Sequence, residues 1–334
     1  MSLRGWGNGV AEHDVERGIV YMNAGAPVPT DVVESPGMSA TTERRTWILG
    51  TTAPALVFLL VIAYLPIGYA VALSFFKKTA FNPAMTWVGL ANYRYIFSEP
   101  ELWNAFGRSV AFTVGSVGLQ LVMGLGSALL LNRAFAGSTV VRSLFVLPYL
   151  VPSIVVALVF QWLLSPEYGV VNQILMQAGA VSRPVNFFGG LGTAMWAVIG
   201  MAGWQYGSFA TLLILARLQS INPKLYEAAA VSGAGPWRAF MDVTLPALRT
   251  TLIVIALLRG IWMFNKFDSI WLVTHGGPLK ATETLPLYAY RLAFEEFDFG
   301  LAAAACTVMF LVLLVGAVAY FKLFDPTREI EVGR

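Results

Sequence analysis

Six windows of this chain of 334 residues, roughly 52–73, 110–131, 144–164, 192–216, 247–272 and 301–321, are apolar for about the length a helix needs to cross a hydrocarbon core of ~30 Å. Lipid offers no hydrogen-bond partner, so backbone inside it must form helices or a closed barrel. Unbroken apolar runs without alternation select helices, and the expected fold class is an all-α membrane protein. Charged residues make up only 12% of the chain, against roughly 25% in soluble domains. The first window follows a long polar tail and exceeds the h-region of a secretory signal, so it reads as a retained span.

Orientation follows from the loops. Of the 22 Lys and Arg, Arg259 and Lys266 fall deep inside a window; with the N-terminus inside, thirteen of the others, counting Arg249 at the inner edge of the fifth window, lie on the inner side and seven on the outer. Both termini are therefore expected in the cytoplasm. The net charge of +3 follows this topology and implies no nucleic-acid partner. Cys306 is the only cysteine and His13 and His275 are the only histidines, so neither a disulfide nor a metal centre is expected.

Residues 1–46 are rich in Gly, Pro, Thr and acidic side chains and are expected to be a flexible cytoplasmic tail; residues 325–334 form a second one. "MSATTERRTW", beginning at Met38, resembles an ordinary start just before a first span, so translation is expected to begin there. The membrane domain occupies 47–324. Between the first two windows, "WVGLANYRYIFSEPELW" predicts a short interfacial helix, and "LSPEYGVVNQILMQAG" after the third predicts another. Pro148 and Pro152 predict a kink in the third span. In the second, Gly115, Gly118, Gly124 and Gly126 have the spacing of close helix packing or a subunit interface.

The loop between the fourth and fifth windows reads "QSINPKLYEAAAVSGAGPWRAFMDVTLPALRTT". Asn222 and Pro223 are an N-cap and first-turn pair, so a helix is expected from Pro223; Gly233 and Gly235 end it. Pro236 restarts a second short helix with Trp237 and Phe240, and Leu245-Pro246 is expected to turn the chain back to the membrane. Alanines make the first helix thin enough to enter a groove, with Tyr226 and Trp237 as large anchors.

Glu227-Ala228-Ala229, Gly233, Val243 and Leu245-Pro246 resemble, at their spacing, the EAA signature of permease subunits of binding-protein-dependent ABC importers. "GLANYRYIF", "VLPYLVPSIVVALVFQWLLSPEYGVVN", "FDSIWLVTHGGP" and "TETLPLYAYRLAFEEFDFGLAAA" resemble the carbohydrate branch, most of all its maltose-type first permease, over residues 47–324. Ser232 stands where Asp is frequent in the signature, and Thr250 where Pro is often found.

The resemblance implies a six-transmembrane-helix permease bundle of the type I, MetI-like kind with cytoplasmic coupling helices. It implies a second homologous permease, two cytoplasmic ATPase subunits that hold ATP and Mg, and an extracellular or periplasmic sugar-binding protein. No G-x-x-x-x-G-K-[ST] loop occurs in the chain, so no cofactor and no catalytic residue is expected here: this is a transport subunit and not an enzyme. Tyr226, Glu227, Ala228, Ala229, Ser232, Gly233 and Trp237 would couple to the ATPase, and alternating access would pass a di- or oligosaccharide inward.

Aligned on the signature, Gln205, Tyr206, Phe209, Arg259, Trp262, Met263 and Asn265 fall in or near the sugar path. Aromatic faces stack on sugar rings, and Gln, Asn and Arg bond hydroxyls. Arg259, Trp262 and Lys266 can share one helical face, with Asn265 and Asp268 side by side on another. Lys266 and Asp268 can equally pair with neighbours. Arg259 and Lys266 would also suit a phosphate, which keeps a glycerophosphodiester open as cargo. An ion-coupled secondary transporter would call for midplane carboxylates, and Asp268 is the only acid in any window. A membrane-embedded enzyme would need a cluster of His, Cys or carboxylates, which the windows lack.

Overall fold

The computed structural model describes residues 40–324 except Pro83 and Ala134. The expected tails, apart from residues 40–46 of the first, and the expected start at Met38 lie outside these residues.

The chain divides at Leu60 into two units. The described part of the first is helix α1 (Ala40–Leu59), with Pro54 inside it and Leu56, Val57 and Phe58 exposed. In the second, a π-helical turn (Leu60–Tyr64) leads into α2 (Leu65–Leu73). A two-residue hairpin follows, β1 (Phe76–Lys77) antiparallel to β2 (Thr86–Trp87), and an isolated bridge pairs Thr79 with Asp298.

The remaining helices are α3 (Ala91–Ser98), α4 (Pro100–Leu131), α5 (Ser138–Leu150), α6 (Ser153–Leu163), α7 (Val170–Gln177), α8 (Ala194–Gln219), α9 (Pro223–Val231), α10 (Pro236–Ala239), α11 (Leu245–Phe264), α12 (Asp268–Thr274), α13 (Leu285–Phe294) and α14 (Phe299–Phe324). Five stretches are long and apolar enough to span: Leu49–Leu73, Pro100–Leu131, Ala194–Gln219, Pro236–Phe264 and Phe299–Phe324. A sixth is made by α5 and α6, which meet at 95°. The two expected interfacial helices are present as α3 and α7.

The expected kink in the third span is therefore a break. Pro148 is accommodated inside α5, whereas Val151, held extended (ψ 129°) before Pro152, ends the helix. Steric conflict with the following proline ring disfavours helical backbone at such a residue.

Helices α4 and α8 form the most extensive pairing of the bundle. Close approach is permitted by Gly124, where a Cβ would meet the Cβ of Ala210 at 2.6 Å, and by Gly115, where it would meet Ile199 Cδ1 at 2.7 Å. Gly118 and Gly126 face open space, so only half of the glycine pattern serves this contact.

Two expectations are corrected. Leu245-Pro246 makes no turn: α10, a π-helical turn (Phe240–Thr244) and α11 form one helical stretch, Pro236–Phe264. The wider turn accommodates the missing proline N–H, as the turn before Leu65-Pro66 does. Secondly, the fifth window is not one helix to residue 272. It ends at Phe264, and α12 starts at Asp268, with the Lys266–Asp268 pair at the junction (2.9 Å).

On α13, Arg291 donates to Glu283 at 2.7 Å and pairs with Glu101 and Glu296; Lys280 also pairs with Glu101. These bonds tie the start of α4 to the segment between α12 and α14.

Candidate functional site

Two sets of residues carry the expected function. The first is the loop of α9 and α10. Asn222 Oδ1 accepts from the Lys224 amide at 3.0 Å, capping α9 as expected. At the other end Ser232 Oγ donates to the Ala228 carbonyl at 2.9 Å. Gly233 takes φ +75°, and the Ala234 amide reaches back to the Ala229 carbonyl at 2.9 Å, a Schellman ending that a left-handed residue permits.

Glu227 and Ala228 are exposed, and Val231 and Trp237 are 90% and 73% exposed. Trp237 stacks on Phe240 at 5.8 Å. Tyr226 does not join this surface: it is half-buried, and its hydroxyl bonds Thr244 at 3.0 Å, fixing α9 against the π-helical turn. Its large side chain anchors the loop to its own bundle.

The second set lies between α4, α5, α8 and α11. Arg259 is 2% exposed. Its guanidinium stands 4.5 Å from the Tyr206 ring, 5.3 Å from Trp262 and 5.7 Å from Phe209. Its Nε donates to Gln120 Oε1 at 2.7 Å, and Nη2 points at Met263 Sδ at 3.8 Å. Among the described residues no carboxylate lies within ion-pair range of it. Ring faces and an amide oxygen hold the buried cation instead, as the negative faces of aromatic quadrupoles can.

Six of the seven expected residues thus come together, and their roles divide. Gln205 is 2% exposed, and its Nε2 donates to the Val151 carbonyl, freed by the break between α5 and α6, at 3.0 Å. Gln205, Met263 and Arg259 are sealed and present nothing to a solute in this conformation. Trp262 is 45% exposed and Phe209 half-buried. Asn265 stands apart: exposed, it donates to the Ile261 carbonyl of its own helix at 3.2 Å. Lys266 approaches the Tyr206 ring at 4.8 Å and pairs with Asp268.

Gln120, Tyr149 and Ser153 belong to this cluster and were missed by sequence reasoning. Tyr149 stacks on Phe209 at 5.7 Å, and Ser153 Oγ lies 3.3 Å from the Tyr206 hydroxyl. Gln120 carried a readable signal, a polar amide inside an apolar span. A cavity of about 460 Å³ between α4 and α14, lined by Trp103, Phe106 and Val312, includes none of these side chains.

Residues 120–329 match the family described as binding-protein-dependent transport system inner membrane component. The chain belongs to that family. Among this permease's relatives, the trehalose/maltose transport system permease protein MalF of Thermococcus litoralis is 35% identical over 276 residues, 83% of this chain and 92% of that protein. The sulfoquinovosyl glycerol transport system permease protein SmoG of Agrobacterium fabrum is 34% identical over 81% of this chain and 88% of its own. The fold is that of a chain in the crystal structure of a bacterial ABC transporter involved in import of the acidic polysaccharide alginate, with a TM-score of 0.73 at 24% identity, covering 86% of the permease and 98% of that chain. The six-span permease bundle expected from the signature is the observed architecture.

Proposed function

We propose that this permease is one of two membrane subunits of an ATP-driven importer that passes a di- or oligosaccharide from an extracellular binding protein to the cytoplasm by alternating access. Both termini lie inside on this reading, with the α9–α10 loop facing two ATPase subunits that hold ATP and Mg. The observation that carries it is the form of that loop within a chain of this family: a capped helix ended by a left-handed glycine, presenting Glu227, Val231 and Trp237 outward. An apolar, exposed helical face of this kind fits a partner's groove. Curated relatives that move trehalose, maltose or a sulfoquinovosyl glycerol support the cargo class.

Phe209 and Trp262 form the face that meets the solute. Stacking on sugar rings suits them, with Arg259 held behind and polarising the rings. A second reading has its own observation: Arg259 carries no ion pair among the described residues, so an anionic solute such as a glycerophosphodiester or an acidic sugar would be drawn to the rings by the cation held behind them, and would pair with it only in a conformation that uncovers it.

The test is purification of the tagged permease with its partners, followed by uptake into proteoliposomes. Expected are co-recovery of a second permease and an ATPase, and ATP-dependent uptake that neutral disaccharides compete. Competition by anionic solutes alone would replace the first cargo by the second. A permease recovered alone, with uptake indifferent to ATP, would overturn both.

A further inference from the structure

Two of the spans are interrupted, and the pieces beyond the interruptions pack on each other. The break at Val151–Pro152 separates α5 from α6, and the junction Asn265–Phe267 separates α11 from α12. Gln161 on α6 donates to the Leu272 carbonyl on α12 at 3.0 Å. Val156 and Ala157 of α6 share a buried cluster with Ile270 and Val273 of α12. Helix α5 packs on α8 instead, through Tyr149 and Phe209.

Polar bonds from this pair to its neighbours lie at the two breaks and at the far end of α12, where Thr274 Oγ1 and Thr282 Oγ1 are 2.7 Å apart. Gln205 of α8 holds the Val151 carbonyl, Tyr206 meets Ser153, and Asp268 pairs with Lys266, which lies over the Tyr206 ring. The same region leaves Gln205 Oε1 and Ser269 Oγ buried without a partner. Buried polar atoms are ordinarily bonded, so an arrangement that supplied partners for both would gain over this one.

We infer that α6 and α12 are one moving body, hinged at Val151–Pro152 and Asn265–Phe267, with Gln205, Tyr206 and the Lys266–Asp268 pair as its pins. The inference rests on the importer reading above and adds to it the segment that rearranges. The bend of 95° and the proline-fixed extended residue place flexibility where the helical hydrogen bonds are already absent. The pair's buried side chains also pack on Val198, Met201 and Tyr206 of α8, so the two half-helices move by sliding over that face of α8.

Pulsed dipolar spectroscopy on the purified transporter complex tests it, in a Cys306→Ala background. One label pair, Leu158→Cys with Leu144→Cys, spans the break; the other, Leu158→Cys with His275→Cys, lies within the proposed body. All three sites are exposed. Between nucleotide-free and ATP-trapped complexes with binding protein, the first distance should shift by up to about one helical turn, ~5 Å, and the second should stay constant. Gln205→Leu should broaden the first distribution and leave the second sharp. Two constant distances in a complex that still imports on ATP would overturn the hinge and leave the importer reading intact. Equal shifts in both pairs would overturn the single body. A complex with neither nucleotide response nor uptake would remove the importer reading and the hinge with it.

Discussion

Arg259 and Gln120 join α11 to α4 across the buried centre of the bundle: the guanidinium Nε donates to Oε1 at 2.7 Å, and the Gln120 Nε2 on the same amide has no partner. Among the described residues Gln120 Oε1 is the only oxygen that accepts from that cation, and ring faces surround the rest of it.

Gln120→Leu should therefore destabilise the permease by about 2–3 kcal/mol, the range for losing a hydrogen bond to a charged group. Adding Arg259→Met to it should recover much of that loss, since an apolar pair of similar volume leaves no charge unanswered. Thermal unfolding of the complex in detergent, followed across the wild type, both single variants and the double variant, measures the coupling directly.

Gly124→Val should push α4 and α8 apart, because even a Cβ would sit 2.6 Å from that of Ala210. Overpacking of this kind costs about 1–3 kcal/mol. Gly126→Ala, two residues along and in open space, should be silent. The yield of monodisperse complex after solubilisation separates the two.

Gly233→Val should cost about 1–2 kcal/mol locally, since φ is +75° and a β-branched residue strains there. Nothing lies within 4 Å of the position a Cβ would occupy, so the cost is conformational and not steric. Gly233→Asn, which tolerates the left-handed region, should retain most uptake, while Gly233→Asp should uncouple the transporter by placing a new charge at the docking loop. Uptake and ATPase rates on the three variants check this ordering.

Trp237→Ser should leave the melting temperature of the permease within error, because the ring is 73% exposed, and should sharply reduce ATPase co-recovery. Tyr226→Phe should do the reverse: partner recovery is kept, and stability falls by about 1 kcal/mol with the loss of the Thr244 bond.

Trp262→Ala should raise the KM for solute severalfold with little change in the ATPase rate, whereas Asn265→Ala, which only bonds its own helix, should change neither. Transport kinetics at saturating binding protein tell the two positions apart.

Much of this architecture was legible because lipid leaves few choices. Windows of sufficient apolar length had to be helices: four of the six lie in single spanning stretches, the third is divided between α5 and α6, and the fifth leaves its stretch at Phe264 and continues in α12. The α9–α10 loop was legible to the residue, from the Asn222 cap to the Gly233 ending, since capping is a local interaction between near neighbours. What escaped was tertiary. Whether Leu245-Pro246 turns or continues depends on a π-helical turn that sequence periodicity does not reveal. That Asn265, Lys266 and Asp268 sit at a junction rather than extend one helix is likewise absent from the periodicity. The partner of Gln205 in this structure, the Val151 carbonyl, lies 54 residues earlier and is free only because of a distant proline, so the bond could not be read from local spacing. Gln120 was hidden among glycines whose spacing suggested packing alone.

The continuity of Pro236–Phe264 has a mechanical consequence. Trp237 and Arg259 sit on the same helical stretch, 22 positions and therefore roughly 33 Å apart at the helical rise of ~1.5 Å per residue. A turn of the chain at Leu245-Pro246 would have let the docking end tilt without disturbing the far end. If Trp237 docks as proposed, the unbroken stretch acts as a lever: a tilt imposed there is carried through the intervening π-helical turn to Arg259 and the aromatic wall around its guanidinium.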